Sequence, residues 1–219
     1  MPNYRLTTAQ NALQHPGHAS DVLRFLNFLS SWSGPGPHPS GPGTKVPAQF
    51  VLLGHSCAAH ILASILLASP FPELAPSPQL LAATRAVVLS EGIYDVDALL
   101  RSFPDYKAWF IANTFGDRDA YPDVNVASHA LRPGGEHIRW LVLHSSGDVL
   151  VDQLQSETMY AHLSAVTGTD PSSKLPMVSR NFDELEEGHN ELLKGSVYPR
   201  IVADFVAGLE EDALPVSHG

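Results

Sequence analysis

The chain has 219 residues, of which 44% are hydrophobic, enough for one sizeable core and too apolar for global disorder. Its net charge is −10, from 13 basic and 23 acidic residues, and no basic stripe runs along it. That balance excludes nucleic acid and an anionic membrane surface as natural partners. The single cysteine, Cys57, excludes an internal disulfide, and the opening Met1-Pro2-Asn3-Tyr4-Arg5-Leu6 carries no apolar leader, so a reducing, cytoplasmic setting is expected.

In chain order, Val22, Leu23, Phe25, Leu26 and Leu29 recur at helical spacing and predict an amphipathic helix over 19–29. The Gly/Pro-rich stretch over 34–48 is expected to be a flexible surface loop. A strand over 49–53 and a helix over 57–68 follow. The apolar run from Val51 to Phe71 is long enough to resemble a membrane span, but Gly54, His55, Ser56 and His60 divide it into strand, turn and helix.

A Pro-rich loop leads to a β-branched strand over 86–90. The aromatic stretch over 96–132 is expected to form a small cap-like insertion. A strand over 138–144, a helix over 152–165, a strand over 176–181 and a closing helix over 197–209 complete the pattern. Strands alternating with helices predict one α/β domain spanning 1–219, its sheet mainly parallel and covered on both faces.

The chemistry concentrates at Gly54-His55-Ser56-Cys57-Ala58, where a strand turns into a helix. A turn that tight needs very small flanking residues, as Gly54 and Ala58 are, and it lifts the serine hydroxyl clear of the sheet. A serine in an ordinary βα turn would read the same way on this pentapeptide alone. Two further residues favour the catalytic reading. A nucleophile-elbow sheet delivers serine, acid and histidine in that order from successive strand ends.

Asp148 follows the strand ending at His144, and His189 follows the last strand. A serine hydroxyl is a poor nucleophile until an imidazole takes its proton, and a carboxylate must orient that imidazole. Taken singly, Asp148 also reads as a turn or cap residue and His189 as a surface histidine. Asp152, the competing acid, is placed as the N-cap of the following helix. The remaining histidines form no metal-ligand spacing, and no glycine-rich phosphate loop occurs, so neither metal nor cofactor is implied.

The elbow resembles that of serine-dependent kynurenine formamidases, as do Ser90-Glu91-Gly92-Ile93-Tyr94-Asp95, His144-Ser145-Ser146-Gly147-Asp148 and Glu187-Gly188-His189. Near the start, Tyr4-Arg5-Leu6, His15-Pro16 and Asp21 also resemble that group's strand-four region. The resemblance implies an α/β-hydrolase fold and hydrolysis of N-formyl-L-kynurenine to L-kynurenine and formate in tryptophan breakdown. Ser56 would be the nucleophile, His189 the base and then the acid, Asp148 its orienting partner, and the Cys57 amide an oxyanion donor.

Tyr94, Phe103, Tyr106, Trp109 and Phe110 would face the substrate's aromatic ring, the plainer reading of such a set being the core of a small cap. The family's His-Gly-Gly-x-Trp loop has no counterpart here, since Gly134-Gly135 lies elsewhere. The resemblance therefore implies a shortened chain of weak activity, with an exposed sheet edge that favours self-association, as in a homodimer. A general carboxylesterase and a non-catalytic binding remnant remain as rival expectations.

Overall fold

The computed structural model describes residues 3–8, 10–32, 49–171, 173 and 175–212. The Gly/Pro stretch expected over 34–48 lies outside them. Four strands form one parallel sheet in chain order: β1 (Phe50–His55), β2 (Thr84–Ser90), β3 (Arg139–Leu143) and β4 (Val178–Asn181). Helices α1 (Gly17–Ser31), α2 (Cys57–Leu66), α3 (Pro78–Ala83), α4 (Val96–Ser102), α5 (Ala112–Phe115), α6 (Gln153–Val166) and α7 (Val197–Asp212) connect and cover them.

The central strands show why the sheet is parallel and two-sided. All five residues of β3 and all but Arg85 of β2 are buried, as expected where both faces carry helices. Successive side chains alternate between the faces. Val87, Leu89, Trp140 and Val142 enter the larger core with Val22, Leu23, Ile65 and Met159 from α1, α2 and α6. Val88, Leu141 and Leu143 enter the smaller core against Tyr198 and Ile201 of α7. Each fully buried aliphatic side chain contributes about 1.5–3 kcal/mol, so Leu89→Ala at this junction costs about 2–5 kcal/mol.

Two sequence readings are corrected here. The Pro-rich segment before β2 contains a helix, α3, because Ser77 caps it by accepting the Leu80 N–H at 3.2 Å and Pro78 tolerates the first helical position. Helix α2 also ends sooner than expected, at Leu66, because Leu67 leaves to form an antiparallel bridge with Leu131.

Asp152 does cap α6, accepting the Gln155 N–H at 3.3 Å. Among the described residues β1 pairs on one side only, and Leu53 on its less covered face is 49% exposed. No described helix is long and apolar enough to cross a membrane. Ahead of α1, the Arg5 guanidinium grips Asp21 with two hydrogen bonds of 2.8 Å, holding the N-terminal segment across that helix.

The register sets the stage for a site. His55 pairs with Ser90, Ser90 with Leu143, and Leu143 with Asn181, so the four strands end in one row. Ser56, Glu91, Asp148 and His189 therefore all emerge at the carboxyl edge of the sheet, where ligands bind in parallel α/β folds.

Candidate active site

Ser56 joins β1 to α2 with φ 55° and ψ −124°, a left-handed conformation that a non-glycine residue adopts only when its surroundings force it. Its own N–H is fixed by the Ser90 carbonyl at 2.9 Å. The turn is closed by Gly54, where a Cβ would lie 2.7 Å from the Ala58 carbonyl oxygen and 2.8 Å from the Ala59 Cα. Cys57 opens α2, so its amide is among the first helical N–H groups, which have no partner within the helix. Its thiol is exposed and sits 3.5 Å from the Tyr4 hydroxyl.

The loops after β3 and β4 are laced to each other. The Ser146 N–H donates to the Leu185 carbonyl at 2.9 Å, and the Ser145 hydroxyl donates to the Glu187 carbonyl. Gly147 permits the approach, because a Cβ there would overlap the Glu186 carbonyl. This lacing brings His189 Nδ1 to 2.7 Å from Asp148 Oδ2. Asp148 is itself steadied by the Leu150 and Val151 amides at 2.8 and 3.0 Å. With Nδ1 taken, Nε2 is the nitrogen left to serve a nucleophile.

Burial lowers the His189 pKa, but the Asp148 hydrogen bond and the nearby Asp148 and Glu91 carboxylates outweigh it and leave it raised to about 9. Burial raises the Asp148 carboxyl, yet the His189 contact and the two amides leave it below its ordinary value.

Glu91 was passed over as a site residue in the sequence. It sits directly after β2 with φ 50° and is fully buried; its Oε1 accepts the Ser145 N–H at 3.1 Å and its Oε2 lies 3.2 Å from His189 Nδ1. The available signal was an acid placed between a buried β-branched strand and a glycine. His55 completes the cluster, its ring centroid 4.6 Å from that of His189 and its Nδ1 3.2 Å from the Ser90 hydroxyl. Burial lowers its pKa to about 4, so it is neutral in ordinary buffers. His55, Glu91 and His189 each bring one ligand atom within 4.8 Å of the others. Asp148 already engages His189 Nδ1, the nitrogen nearest to Glu91.

Beside the elbow lies a cavity of about 330 Å³, mainly apolar, lined by Tyr4, Cys57, His60, Ile93, Trp109 and Phe110 among others. Of the aromatic residues expected at a substrate ring, it therefore includes Trp109 and Phe110. Phe103 and Tyr106 lie outside its lining; they stack with centroids 4.9 Å apart, and the Tyr106 hydroxyl donates to the Leu150 carbonyl at 3.0 Å.

The expectation for Tyr94 is overturned. Its side chain is fully buried in the larger core, where its hydroxyl accepts the Gly92 N–H at 3.3 Å, and no substrate can reach it. Any side chain at Gly92 would collide with that ring, which explains the glycine. Gln155 then secures the same stretch by accepting the Tyr94 and Asp95 amides at 2.8 and 2.9 Å. The Glu-Gly-Ile-Tyr-Asp segment is thus an anchor as much as a site.

A parallel sheet covered on both faces, with a left-handed serine turn at a strand end, defines the α/β-hydrolase fold. Solved structures with this fold agree. A truncated carbohydrate esterase from gut microbiota superposes with a TM-score of 0.60 at 16% identity, covering 95% of this chain and 73% of that one. A carboxylesterase from Lactobacillus plantarum gives 0.60 at 14% identity, covering 97% and 74%.

In sequence, the chain is similar to the kynurenine formamidase of Eremothecium gossypii, 29% identical over 171 aligned positions, the match covering 74% of this chain and 63% of that enzyme. The match thus spans less than two thirds of the curated relative's length. No family model matches the chain.

Proposed function

We propose that the chain is a serine hydrolase of acyl bonds, with N-formyl-L-kynurenine as its substrate. The observation that carries the reading is the 2.7 Å Asp148–His189 pair, delivered to the same sheet edge as the left-handed Ser56. Similarity to a formamidase supports the choice of acyl group.

In this account Ser56 Oγ attacks the formyl carbon while His189 Nε2 takes its proton. The oxyanion faces the Cys57 amide, and the α2 N-terminus stabilises its charge. His189 then returns the proton to the anilide nitrogen, the C–N bond breaks, and the arylamine leaves. Water, deprotonated by the same imidazole, cleaves the formyl-serine to formate. The cavity beside Cys57 offers apolar walls to the aryl group, with Trp109 and Phe110 as ring neighbours.

Formate release from N-formyl-L-kynurenine, set beside turnover of short p-nitrophenyl esters, tests this reading. Preferential cleavage of the formamide supports it. Ester cleavage with the formamide untouched would make the chain an esterase, and inertness toward both would leave a binding protein.

A further inference from the structure

The second carboxylate at His189 has no place in that mechanism. Two successive strand ends, those of β2 and β3, send an acid toward the same imidazole nitrogen: Asp148 Oδ2 at 2.7 Å and Glu91 Oε2 at 3.2 Å. A ring nitrogen carries one proton, and its hydrogen bond goes to Asp148. Glu91 Oε2 is buried beside it with no hydrogen bond of its own, while Oε1 is tied to the Ser145 amide. Burial raises the Glu91 carboxyl above its ordinary value, and a carboxylate oxygen in that position is costly unless a nearby positive charge compensates it.

The backbone is consistent with deliberate placement, since Glu91 takes up a left-handed φ of 50° to point inward at this spot. We propose that Glu91 is a positioning residue that stabilises protonated His189 together with Asp148 and serves as its reserve acceptor.

The groups facing Glu91 leave few alternatives for its counter-charge. His55 approaches from β1, Asp148 from the loop after β3 and His189 from the loop after β4. Tyr94 and Tyr198 of α7 also face it, and burial holds both phenols above their ordinary value and therefore neutral. His55 is neutral as well. Among the described residues, His189 is thus the cation available to Glu91. Removing a negative charge at this distance lowers an imidazole pKa by about one unit or more.

The test is an NMR titration of the His189 ring in the full 219-residue chain, unmodified and as Glu91→Gln, Asp148→Asn and the double variant. Glutamine keeps an acceptor for the Ser145 amide but cannot carry charge. The His189 midpoint is expected to fall by about one pH unit or more in Glu91→Gln. It should also stay higher in Asp148→Asn than in the double variant. An unchanged midpoint in Glu91→Gln would reduce Glu91 to an anchor for Ser145 and overturn the proposal.

Should Glu91→Gln fail to fold, the carboxyl resonance of Glu91 in the unmodified chain decides. It must show a step at the His189 midpoint, and its absence overturns the proposal equally.

The role given to His189 rests on the hydrolase reading, but the ring titration does not. Only neutral imidazole takes a proton, so hydrolysis rises with pH through the His189 midpoint. That limb should move down in Glu91→Gln by the same amount as the NMR midpoint. A moving midpoint in a chain that cleaves neither the formamide nor the esters would uphold the coupling and reject the hydrolase.

Discussion

Two regions border the carboxyl edge of the sheet and are held by different forces. The Asp148 and His189 loops are locked by directional hydrogen bonds among partly buried polar groups. The aromatic stretch from Phe103 to Phe115 is held mainly by ring contacts, with Trp109 65% exposed; the Tyr106 hydroxyl ties it to the Leu150 carbonyl and the Thr114 carbonyl accepts the His15 N–H at 2.7 Å. Fixed charge and geometry suit proton transfer, where a small misplacement is expensive. Apolar contact is roughly proportional to area and tolerates variation, which suits holding a ring. In this account the first region therefore governs rate and the second governs substrate choice.

That division can be broken by substitution. The largest effect is expected from Ser56→Ala, which should lower formate release on the order of 10⁶-fold. Its melting temperature should hold, because no buried contact is lost; retained turnover would sink the assignment of the nucleophile. Next is Gly54→Ala, whose added Cβ has backbone atoms at 2.7–2.8 Å. It should cost about 1–3 kcal/mol, a fall in melting temperature of about 2–4 °C per kcal/mol, and remove activity by displacing the serine turn.

Trp109→Ala should behave oppositely, raising KM for the aromatic formamide about 10-fold with kcat and melting temperature nearly unchanged. The smallest effect belongs to Tyr94→Phe. Losing the acceptor for the Gly92 amide should cost about 1 kcal/mol in thermal melting and leave KM alone, whereas a raised KM would return Tyr94 to the substrate site.

The same contrast separates what was legible in the sequence from what was not. The convergence of Ser56, Asp148 and His189 could be read because each follows a strand, and parallel strands send their following loops to one edge. The pairing of Asp148 with His189 was readable as an order of residues, though its 2.7 Å geometry was not. Glu91 was harder, since an acid after a strand gains meaning only when the register sets Ser90 beside Leu143.

Tyr94 misled because an aromatic residue near the site looks like a substrate contact. Gly92 lets its ring fold back into the core, a tertiary outcome that no local pattern records. Helix α3 carried a readable signal in Ser77-Pro78, a cap followed by a first-turn proline, but its prolines suggested a loop.

The central claim is that Ser56 is a nucleophile served by His189. Treating the chain with a fluorophosphonate and mapping its peptides by mass spectrometry tests this with no assumption about the natural substrate. The account expects an adduct on Ser56 that vanishes when His189 is replaced by alanine. An adduct on another residue, no adduct at all, or labelling of Ser56 indifferent to His189 would contradict it.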